Sequence, residues 1–318
     1  MLQTVSNNKA LQVIAEVKKV VIGKDEAITK VMTAILAGGH ILLEDIPGVG
    51  KTTMAVAFSK AMALKQNRIQ FTPDVLPSDI VGFSMYQKEL GKFTYQQGAV
   101  MCNLFLADEI NRTSPKTQSA LLEVMEEGKV TVDGVEIQVP DPFIVIATQN
   151  PFGSAGTQLL PESQVDRFMI CMSMGYPDIK HEIEIVKGKV WKNPMDDIQR
   201  VMTGQELLTL RKVAAETYVH DAIYEYIGKL VKATRRHDLI ELGLSPRGTL
   251  SIAAMAKAHA FLSGRDYVLP EDVQLVFPDV ALHRLRLNSK ARIHHVTVDA
   301  VIQKILENIP QPTVRNKA

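Results

Sequence analysis

The stretch HILLEDIPGVGKTTMAVAFSKAMAL (residues 40–64) contains an apolar run, a glycine-rich turn and a helical pattern in direct succession. We interpret it as a strand, a turn and a helix whose first turn begins at Lys51. The turn nearly matches a phosphate-binding loop, which requires Gly, four residues and then Gly-Lys-Ser/Thr. Asp45 stands where the first glycine belongs. The stretch alone therefore leaves two interpretations open, a nucleotide site and an ordinary strand-turn-helix connection.

The chemistry of the turn favours the nucleotide site. Successive backbone N–H groups and the helix dipole converge on one anion at such a turn, and glycine lets the chain approach it closely. We expect Lys51 to reach the β and γ phosphates and the Thr52 hydroxyl to hold Mg²⁺. Asp45 ends the strand and does not break the loop, but its carboxylate would lie near the phosphates and could slow turnover. The expected loop contacts are Gly48, Val49, Gly50, Lys51, Thr52 and Thr53.

A second motif, NLFLADEI (residues 103–110), is an apolar run that ends in two carboxylates. Asp108 would bind Mg²⁺ through its water shell, because this cation prefers oxygen ligands. Glu109 would polarise the attacking water. An acidic pair at a strand end can also be a solvated turn, but together with the loop it favours a site that transfers phosphate to water.

The pattern of apolar runs predicts an α/β domain followed by a helical domain. Five short runs alternate with helical patterns up to about residue 175, and four of them end in polar residues, which is typical of a buried parallel sheet with function at the strand ends. From about residue 203 only helical periodicity remains. The predicted strands lie within residues 40–46, 68–71, 103–109, 143–150 and 168–174. We place the nucleotide-binding domain at 1–178, a connecting segment at 179–202 and the helical domain at 203–318.

Two hairpins are predicted inside the first domain. YQKELGKFTY turns at Gly91, and KVTVDGVEIQV turns at Asp133-Gly134. The hairpins occupy about residues 82–98 and 128–140.

Composition narrows the function classes. The 318 residues carry 36 Lys+Arg against 35 Asp+Glu, and a net charge of +1 gives no electrostatic reason to expect a nucleic-acid partner. Cys102 and Cys171 lie inside apolar runs and indicate two buried free thiols in a reducing compartment. No signal-peptide core or membrane-length apolar run is present, and no histidine spacing indicates a metal site. We expect a cytoplasmic protein.

Five motifs resemble, in order and spacing, those of the MoxR family of AAA+ ATPases. They cover residues 42 to 248 and read LLEDIPGVGKTT, LFLADEINRTSPKTQSALLEVMEE, FIVIATQNP, LPESQVDRF and GLSPRG. The resemblance implies an AAA+ P-loop domain with a central five-stranded parallel sheet flanked by helices, followed by an all-helical lid. It also implies ATP and Mg²⁺ as cofactors and hydrolysis to ADP and phosphate in a ring of identical subunits, commonly a hexamer.

The resemblance implies roles for further polar residues. Asn150, in ATQNP, would position the water against the γ phosphate, although an Asn-Pro turn explains it as well. Arg167, in VDRF, resembles the arginine finger that enters the neighbouring subunit's site. A salt bridge with Asp166 is the alternative for Arg167, and Arg112 is its rival for the contact across the interface.

Three more residues resemble parts of the nucleotide pocket. Arg247, in LSPRG, resembles the sensor arginine of the lid, and the first turn of a helix gives an arginine no support from the dipole, which favours a ligand role. Val21 and Ile22 would border the adenine, although packing between a helix and a loop explains their apolarity equally well.

The resemblance also implies a chaperone-like task, the remodelling or maturation of a partner that commonly contains a von Willebrand factor A domain. The two hairpins carry balanced charges, which favours a protein client over DNA. The lack of a membrane span still allows a membrane-associated client. The alternatives are a chelatase-like or DNA-associated motor and an ATP-gated binding scaffold, and Glu109 and Arg167 argue against the scaffold.

Overall fold

The structure is a computed structural model that describes residues 2–45, 48–150, 160–188 and 194–312. The helices in these ranges are α1 (Leu2–Lys18), α2 (Asp25–Leu36), α3 (Lys51–Ala61), α4 (Pro77–Val81), α5 (Pro115–Glu127), α6 (Glu162–Val165), α7 (Ile179–Gly188), α8 (Gly204–Ala215), α9 (Asp221–Arg236), α10 (Pro246–Leu262), α11 (Pro270–Ala281), α12 (Ser289–Ile293) and α13 (Val298–Asn308). The strands are β1 (Ile41–Glu44), β2 (Gln66–Gln70), β3 (Gly82–Gln87), β4 (Lys92–Gln97), β5 (Leu104–Asp108), β6 (Lys129–Val132), β7 (Val135–Gln138), β8 (Ile144–Gln149), β9 (Ile170–Met172), β10 (Ile240–Leu242) and β11 (Arg286–Leu287).

Five strands form a parallel sheet in the order β2-β5-β8-β1-β9. All residues of β5 and β8 are buried, as expected for the central strands of a parallel sheet covered on both faces. These five strands are the five predicted apolar runs, so the predicted fold class is confirmed. The polar residues that end them therefore lie along one edge of the sheet.

Helix ends follow the predicted capping residues. Ser114 caps α5 by accepting a hydrogen bond from the Thr117 N–H, and Gly128 ends that helix in the left-handed conformation. Thr203 and Glu206 form the predicted capping box at the start of α8.

The helical region differs from the sequence prediction in one detail. Between residues 203 and 312 the regular elements are helices apart from β10 and β11, which pair antiparallel in a two-stranded ribbon. Strands of three and two residues are too short to produce a readable alternation of polar and apolar residues.

Both predicted hairpins are present. β3 pairs with β4 from Gly82–Gln97 to Gln87–Lys92, and β6 pairs with β7. Asp133 and Gly134 both have positive φ, which is the conformation of a two-residue hairpin turn.

The sheet separates two hydrophobic clusters. Alternate residues of β5 point to opposite clusters, with Leu104 and Leu106 in one and Phe105 and Ala107 in the other. The first cluster also contains the apolar residues of α8 to α11, so the helical region shares its core with one face of the sheet.

The two cysteines are buried and free, as predicted. Burial raises the pKa of the Cys102 thiol to about 11 and that of Cys171 well above its usual range. In the ranges that the structure describes, no helix combines the length and the apolar content needed to cross a membrane.

Candidate nucleotide site

The glycine loop between β1 and α3 has the backbone conformation that a phosphate-binding loop needs. Gly48 and Gly50 have φ values of 88° and 98°, which residues with a side chain rarely adopt. Gly50 is the residue before α3, and the helix begins at Lys51 as predicted. The N-terminal end of α3 therefore opens directly onto the loop.

The loop and the ends of β5 and β8 line one cleft of about 290 Å³. Most of the residues predicted to bind or hydrolyse the nucleotide meet there. The lining residues are Asp45, Gly48, Gly50, Lys51, Thr52, Thr53, Arg68, Asp108, Glu109 and Asn150. Val49 is not among them and packs against the hydrophobic core.

Lys51 is buried within this cleft. Its Nζ donates a hydrogen bond to the carbonyl oxygen of Asp45 at 2.8 Å. Burial lowers the pKa of Lys51, while the carboxylates of Asp45, Asp108 and Glu109 oppose that shift. A phosphate group in the cleft would offset the cost of burying the ammonium charge.

Thr148, on β8, fixes the acidic pair at the end of β5. Its hydroxyl donates to Asp108 Oδ1 at 2.6 Å and accepts from the backbone N–H of Glu109 at 2.8 Å. Glu109 has a φ of 56°, so the strand does not continue past Asp108. Thr148 thereby holds the Asp108 carboxylate and the Glu109 backbone at the edge of the sheet next to the glycine loop.

Two arginines of the same chain pair with these carboxylates. Arg68 donates to Asp108 Oδ2 at 2.7 Å, and Arg112 donates to Glu109 Oε2 at 2.6 Å. The side chains of both arginines are nearly half exposed. Arg112, the rival candidate for a contact across a subunit interface, thus contacts the acidic pair of its own chain.

The oxygen donors of the cleft fit Mg²⁺ bound together with a nucleotide. Thr52 and Asp108 both line the cleft and offer a hydroxyl and a carboxylate. Within the described ranges, no group of three or more His, Cys, Asp or Glu side chains could hold a metal by itself. This donor set agrees with the usual mode of Mg²⁺, which takes one or two carboxylates and completes its shell with phosphate oxygens and waters.

Asn150 follows β8 and lines the cleft beside Glu109. Its backbone carbonyl accepts a hydrogen bond from Asn111 Nδ2 at 3.3 Å. The position suits the predicted contact with the attacking water. The alternative, an Asn-Pro turn, involves Pro151, which lies outside the described residues.

Asp45 lines the cleft, as expected from the sequence, and its carboxylate also makes contacts that the sequence did not indicate. It accepts hydrogen bonds from Ser173 Oγ at 2.8 Å, from the Gly175 N–H at 3.2 Å and from the Met174 N–H at 2.5 Å. These three residues follow β9. The buried carboxylate therefore ties the start of the glycine loop to the end of the sheet, and its oxygens are already hydrogen bonded.

Arg167 and Arg247 lie away from the cleft of their own chain. Arg167 donates to the Leu122 carbonyl at 2.7 Å and pairs with Glu126 at 3.1 Å. Arg247 pairs with the other oxygen of Glu126. We call Glu126, Arg167 and Arg247 the arginine cluster. Neither arginine lines the cleft that contains Lys51.

The alternative interpretation of Arg167, a salt bridge with Asp166, is wrong. Asp166 instead accepts from Arg284 Nε at 2.7 Å and from Ser245 Oγ at 3.0 Å. Sequence reasoning missed both Glu126 and Arg284. The available signal was an arginine within the apolar stretch ALHRLRL (residues 281–287), a position that requires buried partners.

Val21 and Ile22 stand outside the cleft. Val21 is buried in the hydrophobic core, and Ile22 is half-buried. The next residue, Gly23, is so close to α7 that an added Cβ would lie 2.6 Å from the His181 ring. The turn therefore packs against α7, and the adenine contact stays a prediction.

Comparison with known proteins matches both parts of the chain. A model of the ATPase family associated with various cellular activities matches residues 40–170, and a model of the AAA lid domain matches residues 232–305. Protein YeaC of Bacillus subtilis is 43% identical over 95% of both chains. Chaperone MoxR1 of Mycobacterium tuberculosis is 40% identical over 95% of this chain and 82% of its own length. The crystal structure of a candidate ATPase from Cytophaga hutchinsonii superposes with a TM-score of 0.90 at 38% identity, covering 98% of this chain and 97% of that one.

Proposed function

This chain belongs to the MoxR family of AAA+ ATPases, and we propose that it hydrolyses ATP with Mg²⁺ at the interfaces of a ring to remodel or mature a partner protein. The observation that carries the proposal is the shared cleft of Lys51, Thr52, Asp108 and Glu109. A cation, a metal-ligand pair and a carboxylate adjacent to a glycine loop are the parts that phosphoryl transfer to water requires.

Each group in the cleft has a defined task in this proposal. Backbone N–H groups of the glycine loop and the Lys51 ammonium bind the phosphates. Thr52 and Asp108 hold Mg²⁺, which neutralises charge on the phosphate oxygens when it is bound. Glu109 and Asn150 orient the attacking water. Arg112 binds one oxygen of the Glu109 carboxylate, Oε2.

We infer that the arginine cluster acts on the neighbouring subunit. Arg167 and Arg247 are absent from the lining of their own cleft, whereas Arg112 is bound to Glu109 of the same chain. A head-to-tail interface brings the cleft of one copy against a different surface of the next copy, and such interfaces close into rings. This arrangement favours Arg167 over Arg112 as the arginine that crosses. The family resemblance supports a hexamer.

The exposed surface of the β3–β4 hairpin supports a protein client. Large apolar side chains are exposed on this hairpin, and Phe93 has 70% of its surface exposed. Exposed apolar patches of this kind are typical of protein contacts. The other exposed apolar residues there are Phe83, Met85, Tyr86 and Leu90. MoxR1 is named a chaperone, and we propose a client with a von Willebrand factor A domain for this chain.

Replacement of Glu109 by Gln tests the proposal. We expect the Glu109→Gln protein to bind ATP, to lose hydrolysis and to retain its client during affinity capture from cells. The matched control is Lys51→Ala, which should fail to bind ATP and should capture nothing. Native mass spectrometry of the Glu109→Gln protein with ATP should give a ring of six copies.

Three outcomes would contradict parts of the proposal. Normal hydrolysis by Glu109→Gln would remove Glu109 from the reaction. Full activity of the same variant in cells, without hydrolysis, would indicate an ATP-gated scaffold. Recovery of nucleic acid in place of a protein would indicate a DNA-associated motor.

A further inference from the structure

Arg284 forms hydrogen bonds with the backbone on both sides of Arg167. Its guanidinium donates to the carbonyl oxygens of Asp166 at 3.0 Å, Phe168 at 2.5 Å and Met169 at 3.0 Å. Its Nε also donates to Asp166 Oδ1 at 2.7 Å. Arg167 is thus the one residue of the segment 166–169 that Arg284 leaves free of backbone contact, and its side chain extends to Glu126.

The same side chain supports the first turns of α10, which carry Arg247. Gly248 packs directly on it, because an added Cβ would lie 3.1 Å from Arg284 Cδ. Arg284 also lies 3.5 Å from Ser251 Oγ. Ser245, the capping residue of α10, donates to the Asp166 carboxylate that Arg284 binds. The turns that carry Arg167 and Arg247 therefore share one buried support.

The physical properties of Arg284 suit it to fix geometry. Its side chain is only 2% exposed, and the remaining carbonyl contact, to Val280 at 2.6 Å, leaves none of its nitrogens without a partner. Burial lowers its pKa, and the adjacent Asp166 carboxylate opposes that shift. A buried ion pair contributes little net stability compared with an apolar replacement, but its planar fork imposes defined directions on its acceptors.

We propose that Arg284 is a positioning residue that holds Arg167 and Arg247 in the arrangement they present to the ATP of the neighbouring subunit. The inference rests on the proposed function, in which these arginines act across the interface. Since Arg284 does not line the cleft of its own chain, its loss should affect turnover without affecting nucleotide binding.

The first test is the Arg284→Lys variant, which keeps the positive charge and loses the planar guanidinium group. We expect kcat for ATP hydrolysis to fall about 10- to 100-fold, because a misplacement of about 1 Å can cost that much. KM for ATP should stay within about twofold, since binding interactions that are equal in the ground and transition states act on KM. Equal changes in both constants would overturn the inference.

Mixed rings separate positioning from a damaged cleft. Arg284→Lys chains keep an intact cleft, and Lys51→Ala chains keep intact arginines, so rings that contain both should recover activity although each variant alone is inactive or weak. A one-to-one mixture should reach roughly a quarter of the wild-type rate, because one head-to-tail interface in four then joins two intact halves. No recovery would overturn the inference.

A control experiment separates the role of Arg284 from the proposed action of Arg167 across the interface. Rings that mix Arg167→Ala with Lys51→Ala chains should recover to the same extent. If the Arg167→Ala mixture does not recover, Arg167 does not act across the interface. If the Arg167→Ala mixture recovers and the Arg284→Lys mixture does not, only the role of Arg284 is rejected.

Asp166→Asn provides a second variant, because it keeps the size of the side chain and weakens its ion pair with Arg284. We expect the same loss of kcat, of smaller size, with the same recovery in mixed rings. Circular dichroism and native mass spectrometry establish that each variant folds and assembles. If neither variant assembles, the contact serves folding and the positioning role is overturned.

Discussion

The cleft and the arginine cluster differ in how far apart in the sequence their residues lie. The cleft takes most of its groups from the glycine loop, the start of α3 and the ends of β5 and β8, together with Arg68 of β2. These groups meet at one edge of one sheet. The arginine cluster joins a residue of α5, a turn before β9 and the first turn of α10, and Arg284 supports it from beyond α11. The groups of the cleft thus come from short continuous motifs, whereas the arginine cluster is assembled from distant parts of the chain.

The largest effect is expected in the cleft, from Lys51→Ala. We expect kcat/KM for ATP to fall about a thousandfold, about 4 kcal/mol, because a positioned cation that meets developing phosphate charge is lost. Steady-state hydrolysis and the binding of a fluorescent nucleotide measure it. Lys60→Ala, at the exposed end of the same helix, is the control and should leave both unchanged. A small effect of Lys51→Ala would contradict the prediction that the cleft contributes more to catalysis than the arginine cluster does.

The cleft is predictable from the sequence because each of its motifs is continuous. A strand that ends in Asp108-Glu109 has only one way to face the loop once the parallel sheet is recognised, and the apolar runs indicate that sheet. Hydrogen-bond partners that come from another strand escape such reasoning. Thr148 and Arg68 are examples, since nothing in their own surroundings indicates that they contact Asp108.

The arginine cluster could be predicted only in part, for a physical reason. Arg167 and Arg247 belong to recognisable motifs, but the partner of each is set by packing between segments more than 40 residues apart. The preference of Asp166 for Arg284 over its neighbour Arg167 depends on burial, which a sequence does not display. The role of Asp45 is hidden likewise, because its partners come from the end of β9.

The second largest effect is the loss of stability expected at acid pH from His40, next to the arginine cluster. His40 lies in the cavity beside the cluster, where its Nδ1 accepts from the Val145 N–H and its Nε2 donates to the Met125 carbonyl, both at 3.0 Å. Burial lowers its pKa to about 4. Between pH 6.5 and 4 the unfolded chain binds a proton that the folded chain does not, so the free energy of unfolding should fall by about 3 kcal/mol as the pH decreases.

Urea denaturation at pH 7 and pH 4 measures this dependence. His40→Asn should lose about 3 kcal/mol less on acidification than the wild type, since it no longer titrates. His294→Asn, at an exposed position, should behave like the wild type. Because burial also lowers the pKa of His283, some acid sensitivity should remain in the His40→Asn protein. If His40→Asn and the wild type lose the same stability on acidification, His40 is not a source of the acid sensitivity.

A third, smaller effect tests the hydrogen bonds between Asp45 and the residues after β9. Asp45→Asn should lower the free energy of unfolding by about 2 kcal/mol, because an amide has one acceptor oxygen and turns an N–H group toward donors of residues 173–175. KM for ATP should stay unchanged. Asp74→Asn, at an exposed position, is the control. An increase in kcat with unchanged stability would show that the carboxylate acts on the phosphates after all, as the sequence alone suggested.

The smallest effect is expected from Glu126→Gln, within the arginine cluster. Its ion pairs are partly exposed, and such pairs contribute about 1 kcal/mol or less, so kcat should fall by about two- to fivefold as Arg167 and Arg247 become less ordered. Glu127→Gln, the adjacent exposed residue, should leave the rate of hydrolysis unchanged. An increase in kcat would reverse the sign of the interaction and show that Glu126 restrains the two arginines.

The two buried cysteines make the molecule convenient for spectroscopy. Cys102 and Cys171 are shielded from solvent and have raised pKa values, so neither should react with a maleimide dye while the protein is folded. A cysteine introduced at an exposed turn position of the β3–β4 hairpin, for example by Glu89→Cys, would then be the sole target for labelling. The natural background thiols need no removal before fluorescence follows the hairpin through rounds of ATP hydrolysis.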